Sequence, residues 1–445
     1  MKKALALLMT VALFACSFAA CQQNETPDPT PAQQDPSQPD NSAQPSGAQK
    51  ESVVWAQPSD ITSLDFHVGK NPASFAVTCN IFDTLVTWDA ENKVIPHLAS
   101  EWEFVDEDSL QLKLREGVLF HDGEELTAED VQYTLTRAKN STIVKNNFSW
   151  LDSVDVVDEY TVVVNTIGAY APVLNALCNP LAGIMPKHLL EADDEAMAKN
   201  PVGTGPFKFV ERKEGEYVKM EANESYWNGT VASKYLEMRV VPEASQRATL
   251  LETDEIDIAY DMLASDVERL NSGEKATVLS APSFKVFYLT INCNSGTAAL
   301  QDARVRQAIE YAIDKDALCS AVMYGYATPV SSLVGPGVFG FDAAPTANLY
   351  DVEKAKSLLA EAGYADGFTI DLHVEPISLY EKAAEIIQSM WAEVGVTANI
   401  VSSALATYDA QHNGQFQACI RDSTASEISN MLIIYESSFG SRIQG

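Results

Sequence analysis

Histidine, cysteine and acidic side chains are the groups in this sequence with the greatest potential for metal binding or catalysis. No two cysteines form a C-x-x-C pair, and the histidines show no ligand spacing. The sequence also lacks the G-x-S-x-G, H-E-x-x-H, P-loop and G-x-G-x-x-G motifs. We therefore expect no metal, no cofactor and no enzymatic activity. The histidines are His67, His97, His121, His188, His373 and His412.

Two local patterns resemble chemical sites, but both have simpler structural interpretations. Asp122, Glu124 and Glu125 could mimic a catalytic acid pair, yet they occupy a turn that contains glycine. Gly203-Thr204-Gly205 is followed by Pro206, which fits a chain reversal better than a phosphate-binding loop. We predict structural roles for both patterns.

The N-terminal residues predict export. Lys2 and Lys3 precede an apolar run over residues 4–15, which is typical of a secretory signal peptide at residues 1–20. Phe18-Ala19-Ala20-Cys21 resembles the bacterial lipobox, in which the cysteine is acylated. Two alternatives are acylation at Cys16 and an ordinary cleaved signal with an incidental cysteine. The preferred interpretation is lipidation at Cys21.

Residues 22–50 predict a disordered linker. They contain six prolines and no Val, Ile, Leu, Met, Phe, Trp or Tyr, so they cannot bury enough apolar surface to fold. Residues 21–50 would then be a lipid anchor and tether that holds the protein on the outer face of the cytoplasmic membrane. The formal net charge of −32 argues against nucleic acid as a partner, because the phosphate backbone is also negative.

Strand and helix patterns alternate from residue 51 onward, which favours an α/β fold. Residues 109–115 alternate between apolar and polar side chains as a half-buried strand does, and Thr127 with Asp130 forms a capping box before a helix. A helix that Gly395 ends is predicted before a strand at residues 396–400.

Four groups of motifs, taken in order and spacing, resemble the family 5 extracellular solute-binding proteins, which are the oligopeptide, dipeptide and nickel receptors of ABC importers. The resemblance covers about residues 51–420. The motifs lie at residues 60–65 and 80–85, at residues 114–131, at residues 201–206, 223–227 and 255–257, and at residues 302–316.

The resemblance implies a two-lobed α/β, periplasmic-binding-protein-like fold with an extra inserted subdomain and a ligand cleft between the lobes. Lobe I would be discontinuous and would combine residues 51–86 with residues 196–281. The inserted subdomain would occupy residues 87–195, and lobe II would cover residues 282–445. Family members continue beyond this length, so we expect an incomplete C-terminus in lobe II.

The resemblance also implies two segments that face the ligand. One consists of Lys70, Asn71, Pro72, Ala73 and Ser74. The other follows Phe416, where peptide binders of the family commonly carry Gly-Trp, a small residue and an aspartate that pairs with the amino terminus of the peptide. In this sequence the tryptophan position is Ser423, the aspartate position is Ser426, and an upstream aromatic position aligns with Leu405.

The missing aspartate leaves three interpretations open, because an unpaired buried ammonium group is costly. Asp422 or Glu427 supplies the carboxylate, although Glu427 adjoins the expected position and adjacent strand residues face opposite ways. Alternatively, the ligand is a sugar-linked, capped or cyclic molecule. The third interpretation is an alignment that slips by one or two residues.

Together these features predict a monomeric substrate-binding lipoprotein of an ABC importer. It would capture short peptides or peptide-like solutes and deliver them to a membrane permease. One alternative within the family is a receptor for a non-peptide solute such as a glycoconjugate, a metal chelate or haem. Alternatives from other classes are a secreted hydrolase and a structural or adhesive lipoprotein.

Overall fold

The computed structural model describes residues 50–69, 71–281, 283–293, 297–332, 334–336, 338, 341, 349–403 and 416–424. The predicted signal peptide, Cys21 and nearly all of the linker lie outside these ranges, so their assignments stay predictions. Over the described residues, no helix is both long enough and apolar enough to cross a membrane.

Strands and helices alternate along the described chain, as the sequence predicts. The strands are β1 (Ser52–Gln57), β2 (Val86–Trp88), β3 (Val94–Pro96), β4 (Ala99–Asp106), β5 (Ser109–Leu114), β6 (Leu151–Asp158), β7 (Thr161–Thr166), β8 (Phe207–Lys213), β9 (Tyr217–Ala222), β10 (Tyr235–Val240), β11 (Ile258–Ala259), β12 (Lys285–Ile291), β13 (Phe368–Val374), β14 (Val396–Ser402) and β15 (Ala418–Thr424). The α-helices are α1 (Pro72–Thr78), α2 (Ala128–Asn140), α3 (Val173–Leu177), α4 (Lys187–Ala192), α5 (Ala196–Lys199), α6 (Ala244–Glu252), α7 (Ala264–Asn271), α8 (Ala303–Tyr311), α9 (Lys315–Met323), α10 (Val352–Glu361) and α11 (Ser378–Ala392).

The first sheet joins segments that are far apart in the sequence. Its strand order is β11-β1-β10-β9-β8. Strand β1 pairs in parallel with β10 on one side and with β11 on the other, whereas β8, β9 and β10 pair antiparallel. The parallel neighbours of β1 therefore come from residues about two hundred positions later in the chain. This pairing supports the predicted discontinuous lobe I, whose boundaries stay a proposal.

An antiparallel sheet lies between the two parts of lobe I in the sequence. Its order is β4-β5-β7-β6, and helix α2 packs against it. Strand β5 has the burial alternation that the sequence predicts. At the start of α2, the backbone N–H and the hydroxyl of Thr127 both donate to the carboxylate of Asp130. This confirms the predicted capping box.

The third sheet belongs to the C-terminal half and has the order β12-β15-β13-β14. Strand β13 is parallel to both β14 and β15, and β12 is antiparallel to β15. Gly395, with a φ of +86°, lies between α11 and β14, which confirms the predicted helix, turn and strand.

Two large hydrophobic cores follow from these sheets. One draws on residues between 61 and 238 and combines lobe I with the inserted region. The other draws on residues between 299 and 420 and contains Trp391, which is fully buried and donates its indole N–H to the carbonyl of Ile309 over 3.2 Å. The two-lobed α/β architecture that the sequence predicts is thus confirmed.

Candidate ligand-binding site

The first predicted ligand segment lies at the start of helix α1. Asn71 caps this helix by accepting a hydrogen bond from the backbone N–H of Ser74 over 2.8 Å, and its amide donates to the carbonyl of Asp60 over 2.9 Å. The hydroxyl of Ser74 accepts from the backbone N–H of Thr62 over 3.0 Å. These contacts attach the start of α1 to the loop that leaves strand β1.

The residues of this segment differ in their access to solvent. Ala73 and Ser74 are fully buried, Asn71 is half-buried and Pro72 is exposed. Ser74 therefore holds the loop rather than presenting its hydroxyl to solvent, and Asn71 and Pro72 are the members that border solvent. Lys70 lies outside the described residues.

The second predicted segment is partly on strand β15, where Asp422 pairs with Phe287 of β12. Asp422 is thus a strand residue rather than a loop residue. One of its carboxylate oxygens accepts a hydrogen bond from the hydroxyl of Tyr380, and the other lies 3.2 Å from the ammonium group of Lys285. Desolvation by burial, then this hydrogen bond to Asp422, raises the pKa of Tyr380.

The remaining predicted positions are only partly covered by the structure. Ser423 lies on β15, and its backbone pairs with Val286. Leu405, Ser426 and Glu427 lie outside the described residues. The sequence alone did not reveal Lys285 and Tyr380 as partners of Asp422, because both are distant from it in the chain. The pairing of β12 with β15 brings Lys285 to Asp422, and the packing of α11 brings Tyr380 to it.

A buried carboxylate joins three of the family motifs. Asp83 is 4% exposed. It accepts hydrogen bonds from the indole N–H of Trp227 over 2.9 Å, the hydroxyl of Thr204 over 3.0 Å and the hydroxyl of Tyr226 over 3.3 Å. Since all three donors come from motifs downstream of Asp83, these motifs hold the scaffold of lobe I together.

The glycines of the Gly203-Thr204-Gly205 motif permit a close approach of two backbone segments. A Cβ atom on Gly203 would lie 2.1 Å from the carbonyl oxygen of Ile81, and one on Gly205 would lie 2.7 Å from the same atom. The backbone N–H of Gly205 donates to that carbonyl over 2.9 Å. The motif is therefore a packing and chain-reversal feature, as its sequence predicts.

An ion-pair network attaches the inserted region to the loop after β1. The guanidinium of Arg137 on α2 donates to both carboxylate oxygens of buried Asp65, over 2.7 and 3.2 Å, and to Nδ1 of His67 over 3.1 Å. His67 Nε2 lies 3.1 Å from the carbonyl of Leu181, to which it donates. Burial lowers the pKa of His67 to about 4. The imidazole is thus neutral and structural.

The acidic cluster after Phe120 also has structural partners. Asp122 lies 2.9 Å from Nε2 of His188, and Glu125 accepts from the hydroxyl of Tyr160 over 2.8 Å and from the backbone N–H of Gly117 over 2.7 Å. The carboxylates of Asp122 and Glu125 are therefore committed to a turn or a neighbouring element. No group of three or more potential metal ligands comes together among the described residues.

The free cysteines among the described residues differ in their exposure to solvent. Cys178 and Cys419 are buried, Cys293 and Cys319 are half-buried, and Cys79 is exposed. Cys79 follows α1 at the surface, and Cys319 lies on α9, which has no buried residue.

A cavity of about 640 Å³ lies inside lobe II, between strand β12 and helices α8, α9 and α11. Its walls are mostly apolar, and Tyr380 is the lining residue that contacts Asp422. All of its lining residues lie between positions 286 and 420. The described walls of the cavity therefore come from lobe II alone.

Comparison with known proteins decides the family. The family model described as "Bacterial extracellular solute-binding proteins, family 5 Middle" matches residues 93–444. This chain belongs to the family 5 solute-binding proteins. The family binds solutes outside the cytoplasm, in the extracellular or periplasmic space, and serves ABC importers.

Three similar proteins illustrate the range of the family. The glutathione-binding protein GsiB of Pectobacterium atrosepticum is 31% identical over 81% of this chain and 70% of its own length. The dipeptide-binding protein of Escherichia coli is 32% identical over 70% of this chain and 63% of its own length, so the match spans less than two thirds of that relative. The periplasmic binding protein DppA of Helicobacter pylori, solved in complex with the peptide STSA, has a TM-score of 0.71 and 26% identity over 86% of this chain and 80% of its own.

Proposed function

We propose that this family 5 protein is a lipoprotein that captures short peptides or peptide-like solutes and delivers them to the permease of an ABC importer. The match to the family over residues 93–444 is the observation that carries this proposal. Relatives named for a dipeptide and for glutathione, and a similar structure that holds the peptide STSA, favour a peptide-like ligand.

Attachment to the membrane would follow from acylation of Cys21, with residues 22–50 as the tether. The support is the sequence alone: a basic start, an apolar run that ends in small residues, and a proline-rich segment without large apolar side chains. A binding protein tethered in this way works close to its permease, which raises the effective concentration of the two partners.

Asp422 carries the carboxylate of the second ligand segment that lies within the described residues. We propose that this carboxylate pairs with the amino group of the peptide. Its partners Tyr380 and Lys285 each contact one oxygen, and a carboxylate with about four acceptor sites can accept further donors. The Tyr380 hydrogen bond fixes the orientation of the carboxylate. Lys285 lies on the exposed side of this pair, and its ammonium marks a position where a ligand amine can compete.

Native mass spectrometry of the full chain with a tripeptide library, offered with free and with acetylated amino termini, tests this proposal. We expect free tripeptides to bind, and Asp422→Asn to weaken their binding by about tenfold to a hundredfold, because a hydrogen bond to a charged group is lost. Acetylated tripeptides should respond little to this substitution. Asp371→Asn, which changes another strand aspartate of the same sheet, is the matched control.

Two results would contradict parts of the proposal. Equal binding of free and acetylated peptides by the wild-type protein would show that no carboxylate holds the amine. A single co-purified mass that is not a peptide, with no tripeptide bound, would replace the peptide with another class of solute.

A further inference from the structure

One wall of the lobe II cavity is helix α9, which has no buried residue. The apolar side chains that this helix contributes to the lining are all half-buried, so they keep surface that solvent can reach. They are Leu318, Cys319, Val322 and Met323. At about 640 Å³, the cavity has the size of a small-molecule pocket, and an apolar group gains free energy by entering it.

The opposite wall of the cavity leads directly to Asp422. Residues that face each other across an antiparallel pair share one side of the sheet, and every second residue of a strand lies on that side. Ile420 pairs with Leu289, and Asp422 pairs with Phe287. These four side chains therefore lie on one face. Ile420, Leu289 and Phe287 line the cavity, so Asp422 continues the same row at the end of the apolar wall.

Two aromatic rings form the border between the carboxylate and the cavity. Tyr380 lines the cavity, and its hydroxyl donates to Asp422. The ring of Phe287 meets that of Tyr380 edge to face, with their centroids 5.9 Å apart. The side chain of Asp422 is 28% exposed and Phe287 is 39% exposed, so a solute can reach this border. A group held by the carboxylate thus has the cavity beside it.

The charged residues of the lining have partners within lobe II. Arg306 donates to two backbone carbonyls, and the ammonium group of Lys315 lies 3.5 Å from the carboxylate of Glu310. The rest of the lining is mostly apolar. The cavity is therefore suited to an apolar group, whereas Asp422 at its end is suited to a cation.

From this arrangement we infer that the lobe II cavity receives the side chain of the N-terminal residue of the peptide, and that the protein prefers peptides in which this residue is large and apolar. Asp422 holds the amino group, and the side chain on the same carbon atom passes Tyr380 and Phe287 into the cavity. A volume of about 640 Å³ holds even the largest natural side chain, so affinity should rise with apolar area. The inference rests on the proposed function, since it requires Asp422 to bind the amine.

The test uses the full chain and three tripeptides that differ only in their first residue, which is alanine, leucine or phenylalanine, followed by two alanines. Isothermal titration calorimetry measures each affinity. We expect the leucine and phenylalanine peptides to bind about tenfold to a hundredfold more tightly than the alanine peptide, because each buried methylene adds to the free energy of binding.

Ala383→Phe fills the cavity from within, since Ala383 of α11 lines it. We expect this variant to lose most of the preference for the larger peptides and to keep its affinity for the alanine peptide. Its ligand-free unfolding temperature should be unchanged or higher, because the new ring occupies apolar space. Ala392→Phe, at an exposed position of the same helix, is the matched control.

Val322→Thr is a second variant, which places a hydroxyl in the wall formed by α9. It should weaken binding of the leucine peptide severalfold and leave that of the alanine peptide unchanged, because the hydroxyl loses water when an apolar group packs against it.

Three results would overturn the inference while the proposed function stands. The first is equal affinity of the wild-type protein for all three peptides. The second is a preference for large residues that persists in both Ala383→Phe and Val322→Thr, because the side chain would then bind elsewhere. The third is a lower unfolding temperature for Ala383→Phe than for Ala392→Phe, because another part of the chain or a second copy would then fill the cavity. If the wild-type protein binds no tripeptide, the proposed function itself fails.

Discussion

Buried polar side chains of lobe I connect segments that are far apart in the sequence. Asp83 accepts from three donors that lie more than a hundred residues downstream, and Arg137 connects helix α2 to Asp65 and His67. Removal of one member of such a group leaves its partners unsatisfied. These residues therefore act on folding.

His67 makes the stability of lobe I depend on pH in a defined direction. Its pKa in the folded protein is about 4, because the imidazole is buried. A histidine in an unfolded chain titrates near about 6.5, so the unfolded state binds the proton more tightly. The contribution of His67 is complete above that pH and is lost as the pH falls towards 4. Protonation at Nδ1 would also place a donor against Arg137.

Urea unfolding at about pH 7 and at about pH 5 measures this effect. Between pH 7 and pH 5, the free energy of unfolding of His67→Gln should fall by about 1–2 kcal/mol less than that of the wild-type protein. The reason is that glutamine can donate to the carbonyl of Leu181 without titrating. His188→Gln, which changes an exposed histidine, should behave like the wild-type protein. If the stability of His67→Gln and of the wild-type protein changes equally with pH, His67 is not the source of the pH dependence.

At the scale of elements, close backbone approaches position the strands and helices around the site. Gly203 and Gly205 lie against the carbonyl of Ile81, just after α1. In lobe II, a Cβ atom on Gly367 would lie 1.9 Å from the carbonyl oxygen of Gly395, so the turns that enter β13 and β14 pack directly on each other. Glycine is required at these positions because any side chain would separate the two segments.

Gly203→Ala is expected to destabilise the protein by about 3 kcal/mol, because the new methyl group overlaps backbone that cannot move aside without disturbing Asp83 and its partners. Gly335→Ala is the control, since its nearest neighbour would be 3.7 Å away. Chemical denaturation of both variants checks the prediction. Equal midpoints for the two would mean that the segment after α1 relaxes freely.

At the scale of the whole molecule, the described chain has two large cores that share no residue. The first combines lobe I with the inserted region, and the second lies within lobe II. Contact between the two halves includes the rings of Trp88 and Phe284, whose centroids are 6.2 Å apart. Proteins with separate cores commonly depart from two-state unfolding.

We therefore expect two overlapping transitions in calorimetry of the ligand-free protein. Val164→Ala, in the first core, should lower one transition, and Ile370→Ala, in the second core, should lower the other. Each substitution deletes buried methyl groups and should cost about 1–4 kcal/mol. A single transition that both substitutions shift equally would show that the lobes unfold as one unit.

The sequence by itself determined the family, the α/β class and much of the local structure. Strand β5, the capping box of α2 and the turn at Gly395 depend on neighbouring residues and on the intrinsic preferences of the backbone, so their patterns are visible in the sequence. The family motifs were also visible, and the structure shows that they hold a scaffold.

Only the tertiary structure decided which side chains share an environment. The pairing of β1 with β11 brings the ring of Trp55 to that of Tyr260, and the packing of α11 brings Tyr380 to Asp422. These neighbours are separated by about two hundred and about forty residues, and no local pattern encodes such contacts. The burial of Ser74 could not be predicted for the same reason. Its hydroxyl accepts a hydrogen bond from the backbone N–H of Thr62, which lies twelve residues earlier in the chain. Long-range pairing therefore determined the candidate site, because it sets which polar groups are satisfied within the chain and which remain available to a ligand.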